Sequence, residues 1–174
     1  MLIGEGNGRF LAEFLKINKT ASVVCVDASS RMLELAKRRA VGSTGDRVRF
    51  VQADLLDPPY WQCQGGPFDL VVTHFFLDCF RADQLDPIVT AIAEQTSSGA
   101  RWLLADFRVP TAGLARIRAK AILWLAYTFF RIATRLPAKW ITPADSFLQR
   151  NGFSLQERRV YDLGLLHSDL WRAL

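Results

Sequence analysis

Three glycines at alternate positions, Gly4, Gly6 and Gly8, follow the apolar start Met1-Leu2-Ile3 and precede Phe10, Leu11, Phe14 and Leu15 at helical spacing. The order strand, glycine loop, helix limits what the chain can build. Glycine turns through positive φ without steric cost, its bare backbone N–H groups approach a ligand closely, and a helix N-terminus favours negative charge beside it. The dinucleotide spacing G-x-G-x-x-G requires glycine at position 9, where this chain has Arg9. The loop therefore belongs to another subclass, and its meaning rests on the segments C-terminal to it.

Those segments alternate between strand and helix patterns. Ala21 to Val26 is a continuous apolar run ending at Asp27, the pattern of a strand buried on both faces. Ser29 or Ser30 can cap the next helix, with Met32, Leu33, Ala36 and Ala40 on one side and Lys37, Arg38 and Arg39 facing water. Val48 to Gln52 predicts a third strand that leads into Ala53-Asp54, and Asp57 to Pro67 is loop. Phe68 to Thr73 predicts a fourth strand, and Leu85, Ile88, Val89 and Ile92 mark a helix opening near Pro87 and broken by Ser97-Ser98-Gly99. A fifth strand over Trp102 to Ala105 ends at Asp106, and a long helix runs from about Ala112 to Arg135. An extended segment from Phe153 to Tyr161, a turn at Asp162-Leu163-Gly164 and a last strand over Leu165 to Trp171 imply an antiparallel hairpin at a sheet edge. The expected fold class is α/β, a three-layer sandwich around a mostly parallel sheet, in one domain over residues 1–174.

Composition narrows the functional classes. Residues 1–100 carry 10 Lys/Arg against 12 Asp/Glu, and residues 101–174 carry 12 against 5, which reads first as a solvated basic face, and any anionic partner would meet the C-terminal half. Cys25, Cys63 and Cys79 form no CxxC pair and His74 and His167 stand far apart, which argues against a disulfide framework and a metal centre. The N-terminus lacks a secretory pattern, and the longest apolar run, Ala121 to Phe130, is about half of the ~20 residues a membrane span needs. The expected location is the cytoplasm. On the long helix Arg116, Lys120, Arg131 and Arg135 share one quadrant, with Trp124 and Tyr127 in the same sector. The first reading of this face is docking of N-terminal helices, and the second is contact with an anionic membrane surface. No recognition motif points to nucleic acid.

Asp27 ends its strand 19 residues beyond Gly8, where a carboxylate can accept bonds from both hydroxyls of a ribose, and Asp54 ends the next. The segments Gly4-Glu5-Gly6-Asn7-Gly8, Val26-Asp27-Ala28-Ser29-Ser30-Arg31-Met32-Leu33, Val51-Gln52-Ala53-Asp54 and Phe68-Asp69-Leu70-Val71-Val72 resemble successive motifs of the class I S-adenosylmethionine-dependent methyltransferases. The resemblance implies a seven-stranded sheet with an antiparallel last hairpin, and S-adenosylmethionine as cofactor. It implies Gly4, Glu5, Gly6 and Gly8 around the methionine part, Asp27 on the ribose and Asp54 at the adenine amino group. Ala28, Met32 and Leu55 would then be apolar adenine contacts, or ordinary core, and Thr73 a further cofactor contact. Two features depart from the pattern. The acid usual two positions before the first glycine is Leu2 here, with Glu5 as a candidate substitute. The first strand is reduced to Met1-Leu2-Ile3 without the family's frequent N-terminal helices, so the expectation is a truncated start or a lid supplied from elsewhere.

The end of the fourth strand, Thr73-His74-Phe75-Phe76-Leu77-Asp78-Cys79-Phe80, is where a methyl group would meet its acceptor. Transfer from a sulfonium needs chiefly an in-line nucleophile, and a base helps when the acceptor is a hydroxyl. His74 is the candidate base, Asp78 the weaker one, and Phe75, Phe76 and Phe80 either wall an acceptor pocket or fill core. His167 and Asp169 lie on a predicted strand with no G-x-S-x-G elbow anywhere, so hydrolase chemistry is set aside. The expected activity is methyl transfer to a small apolar or aromatic molecule. The alternatives are a module that binds the cofactor without competent catalysis, and an aminopropyltransferase.

Overall fold

A computed structural model describes residues 1–40, 45–57, 65–134, 138 and 140–174. Seven strands, β1 (Leu2–Ile3), β2 (Val23–Asp27), β3 (Val48–Gln52), β4 (Phe68–His74), β5 (Thr96–Phe107), β6 (Phe153–Tyr161) and β7 (Leu166–Ala173), form one sheet in the order β3-β2-β1-β4-β5-β7-β6. The first five run parallel, while β7 lies antiparallel between β5 and the edge strand β6. The expected α/β sandwich with its antiparallel hairpin is thus present.

Helices α1 (Arg9–Ile17), α2 (Ser30–Ala40), α3 (Ala82–Ala93), α4 (Gly113–Thr134) and α5 (Asp145–Arg150) cover the sheet. On one face Leu11 and Leu15 of α1 and Ala40 of α2 pack against Leu2, Val23 and Val72. On the other, the apolar stripe of α3 and Phe147 and Leu148 of α5 pack against Ile3, Val26, Val71, Trp102 and Trp171. Alternate residues of β1 and β2 therefore enter opposite layers, which is why both strands are apolar without a break. Each fully buried Leu or Ile contributes about 2 kcal/mol by leaving water. Trp102 is fully buried as well, and its indole Nε1–H donates to Thr73 Oγ1 at 2.9 Å, so neither polar atom is orphaned.

Several boundaries differ from the sequence reading. Helix α3 opens at Ala82 rather than near Pro87, because Gln84 Oε1 accepts the Arg81 N–H at 3.1 Å and closes the first turn ahead of the proline. Strand β5 begins at Thr96 and takes in Ser97-Ser98-Gly99, since Thr96 pairs with Phe68. Met32 is 36% exposed and so leaves the stripe that Leu33, Ala36 and Ala40 form. Tyr127 is buried on α4 with Ala119 and Leu123, and does not share the exposed sector with Lys120 and Trp124. Arg135, the Arg131 side chain, Cys63, Pro58 and Pro59 lie outside the described residues.

Candidate active site

The sheet's connections reverse direction at β1, with β2 and β3 on one side and β4 and β5 on the other. Ligands of open α/β sheets bind in the crevice at such a reversal, beyond the strands' C-terminal ends. Gly4 follows β1 there, Asp27 ends β2, Asp54 follows β3, His74 ends β4, and Asp106 stands near the end of β5.

All three loop glycines take left-handed φ, 63° at Gly4, 64° at Gly6 and 80° at Gly8, but for different reasons. A Cβ on Gly4 would fall 2.2 Å from the Phe76 ring, and one on Gly8 would fall 2.6 Å from Cα of Ala36 in α2. These two are needed so that neighbours can approach. A Cβ on Gly6 would meet nothing within 4 Å. Open space above a bared turn is the geometry of a ligand cradle.

Asp27 ties this cradle to the sheet. Its Oδ2 accepts the Gly6 N–H at 3.1 Å and its Oδ1 accepts the Ser29 N–H at 2.8 Å. Each carboxylate oxygen keeps a lone pair for a further donor, as binding two ribose hydroxyls requires. Arg39 donates to the Asn7 carbonyl at 2.7 Å and braces the loop from α2. Ala28 and Met32 are exposed beside Asp27. Asp54 is exposed too, its Oδ1 accepting the Leu56 N–H at 2.9 Å, whereas Leu55 is buried among core side chains. The Thr73 hydroxyl is taken by Trp102, so only its backbone is left to face a ligand.

Glu5 has a structural task. Its Oε1 accepts the Leu11 N–H at 3.0 Å, filling a donor that the start of α1 leaves unpaired. Burial raises its pKa, against the lowering effect of backbone N–H groups at this helix start. Leu2 is core, packed with Leu11 and Leu15, so the acid usual at that position is replaced by a packing residue.

At the end of β4 the His74 ring stands edge-on to Phe10, with ring centres 4.7 Å apart, and makes no hydrogen bond among the described residues. Burial lowers its pKa, leaving the imidazole neutral and able to accept a proton near pH 7. Phe75 follows with φ of 51°, unusual for a bulky residue, and stays 48% exposed against Phe107. Phe76 lies over Gly4 and against Phe80, which is core.

Asp78 faces inward. The Tyr127 hydroxyl donates to its carbonyl at 2.9 Å and its Oδ2 at 3.2 Å, and its carboxyl shares a hydrogen bond with Asp106. Burial raises the pKa of both acids, that of the more deeply buried Asp106 furthest, and the neighbouring Asp78 carboxyl raises it further. The raised values favour one proton shared by the pair, and the capping role that a carboxylate at position 78 suggests is absent. Sequence reasoning noticed Asp106 at a strand end but had no signal that Tyr127, 49 residues beyond Asp78, would close the cluster.

The pair's effect on stability has a definite sign. Raised pKa values mean the folded protein keeps a proton that the unfolded chain releases, so the contribution is complete below about pH 4 and is lost as pH rises through the raised pKa. Asp106→Asn supplies a permanent N–H to Asp78. We expect its melting temperature to decline less than the wild type's on titration from acid to neutral pH, a difference on the order of 1 kcal/mol. Parallel melting curves for the two proteins would contradict a shared proton.

His167 and Asp169 do meet, at 2.9 Å, but within an ionic cluster on β7. Burial alone would raise Asp169, yet bonds from Arg158 and His167 outweigh it and hold the carboxyl down to about 2. Arg158 also reaches Asp145 of α5 at 2.7 Å, so this cluster fastens the hairpin to its covering helix. A further cleft, lined by Val23, Val24, Arg47, Arg49, Gly65 and Asp69, opens at the strands' N-terminal ends, the edge away from the glycine loop.

This arrangement has relatives. A family model described as methyltransferase domain matches residues 1–99. The chain is 29% identical over 152 residues to a magnesium-protoporphyrin O-methyltransferase of Rhodobacter capsulatus, covering 87% of this chain and 61% of that protein. Among solved structures it superposes on an O-methyltransferase family protein from Burkholderia thailandensis with a TM-score of 0.73 at 16% identity, over 99% of this chain and 49% of the other. It also superposes on a magnesium protoporphyrin IX methyltransferase from Synechocystis with bound SAH, TM-score 0.67 at 20% identity, over 99% and 73%. With more than half of the sequence matched, the strand order in place and the glycine loop tied to Asp27 at the sheet's reversal, the chain belongs to the methyltransferase domain family, the class I S-adenosylmethionine-dependent methyltransferases.

Proposed function

We propose that this protein binds S-adenosylmethionine over the Gly4–Gly8 loop and transfers its methyl group to a small apolar or aromatic acceptor. The observation that carries this reading is the open space above Gly6, fixed to Asp27 at 3.1 Å. Bound there, the cofactor supplies an electrophilic methyl group on a sulfonium. Asp27 accepts the ribose hydroxyls, Asp54 takes the adenine amino group, and Ala28 and Met32 offer exposed apolar surface beside them. His74 accepts the acceptor's proton as the neutral imidazole that burial favours. Asp78 acts through Asp106 and Tyr127 to hold the end of β4, and so positions His74 rather than touching the acceptor. The exposed ring of Phe75 is the surface on which an apolar acceptor would rest.

The test pairs calorimetric binding of S-adenosylmethionine and S-adenosylhomocysteine with labelled methyl transfer to a panel of phenols, alcohols and carboxylic acids. The Rhodobacter relative's name makes magnesium protoporphyrin one member of that panel. Absence of cofactor binding sinks the reading, and binding without transfer to any acceptor supports the cofactor-binding module instead. Gly6→Ala is the matched variant. Its Cβ meets no described protein atom within 4 Å, so stability falls only by the left-handed strain of about 1–2 kcal/mol. The methyl occupies the ligand's space, and affinity is expected to fall about tenfold.

A further inference from the structure

Among the described residues, the outer face of α4 is apolar and covered by no other element. Leu114 is 84% exposed, Ile117 67%, Trp124 63% and Leu125 62%, and at 3.6 residues per turn they fall within roughly 100° of one another, opposite the buried Ala119 and Leu123. Leu163, 74% exposed with φ of 54°, extends this strip, because Arg118 holds the Asp162 carboxylate at 2.9 Å and brings that turn beside the helix. Lys120 and Arg116 line one border of the strip, while Arg118 on the other is paired with Asp162. Helix α4 contains no Asp or Glu at all.

We propose that α4 lies flat on an anionic lipid surface, its apolar strip among the acyl chains and its cations at the headgroups. This goes beyond the methyl-transfer reading and does not depend on it. A bilayer offers both parts of what the strip lacks. Lipid tails take the leucines and the tryptophan, while phosphate groups meet Lys120 and Arg116, whose long stems let the charge stay at the headgroup level. A second copy of the chain fits poorly, since an antiparallel two-fold contact would bring the Lys120 and Arg116 border against its own copy. Asp162, the acid beside the helix, is already engaged by Arg118. Among the described residues no helix is long and apolar enough to cross a membrane, so the contact is superficial. Tyr127 links the same helix to Asp78 at the end of β4, placing the acceptor side of the candidate site on the element that meets the lipid.

Flotation of the purified protein with vesicles of phosphatidylcholine alone, or of phosphatidylcholine mixed equally with phosphatidylglycerol, tests this. The protein is expected to float with the anionic vesicles only, and less so as salt is added. Leu125→Asp should weaken binding about tenfold or more, and Lys120→Glu similarly, with unchanged melting temperatures because both positions are exposed. Lys37→Glu, an equal change of charge on α2, should bind like the wild type. The proposal is overturned if neither vesicle binds the protein, if both bind it equally, or if Lys37→Glu weakens binding as much as Lys120→Glu. It is also overturned if Leu125→Asp abolishes a concentration-dependent dimer of protein that does not float.

Discussion

Gly8→Ala is expected to destabilise the protein by about 1–4 kcal/mol, a large share of the roughly 5–15 kcal/mol that holds a domain of this kind together. Left-handed φ costs a non-glycine residue about 1–2 kcal/mol, and Gly8 sits at 80°. The new Cβ would also lie 2.6 Å from Ala36 Cα and 2.8 Å from Ala36 Cβ. Those atoms belong to the body of α2, so relief requires the two helices to part, at about 1–3 kcal/mol for an overpacked contact. Reduced chain entropy in the unfolded state returns somewhat less than 1 kcal/mol. Chemical denaturation read by circular dichroism measures the difference. A loss below about 1 kcal/mol would show that α1 and α2 separate easily, contrary to the close approach on which the loop's shape depends. The contrast with Gly6→Ala is informative, because the same methyl two residues earlier should spare the fold and impair the ligand.

Asp27→Ala is expected to weaken S-adenosylmethionine binding by about 2–3 kcal/mol, roughly two orders of magnitude. Two contributions add. The ribose hydroxyls lose a charged acceptor, and the Gly6 and Ser29 N–H groups lose the carboxylate that orients them at 3.1 Å and 2.8 Å. Asp27→Asn should not rescue this, since an amide turns a donor toward one of those two N–H groups whichever way it flips. Titration calorimetry gives the affinity directly, with the melting curve as a check that the fold survives. Unchanged affinity in the alanine variant would remove Asp27 from the cofactor site and with it the core of the proposed function.

The elements that position the site were legible where local pattern and tertiary role agree. The continuous apolar run ending at Asp27 reads as a strand covered on both faces, and β2 is buried along Val23 to Val26. The glycine triplet reads as a strand-to-helix loop, and its three positive φ values are those of such a turn. Legibility failed where a local signal was outvoted. Thr96 to Gly99 is polar and glycine-bearing, and only the neighbouring Phe68 turns it into strand. Met32 has the spacing of a core residue, yet the helix leaves it 36% exposed.

By itself the sequence determined the order of elements, the loop, the three strand-end positions Gly4, Asp27 and Asp54, and through them the family, because each depends on residue type and spacing within a few residues. Tertiary structure alone decided what each acid does. It turned Glu5 onto the start of α1, set Asp27 between Gly6 and Ser29, and joined Asp78 to Asp106 and Tyr127. It also set Tyr127 inside while leaving Trp124 and Leu125 outside. The physical reason is common to all of these. Periodicity encodes which side of an element is apolar, whereas a hydrogen bond or a shared proton depends on which elements meet, and that is settled only when the whole sheet has formed.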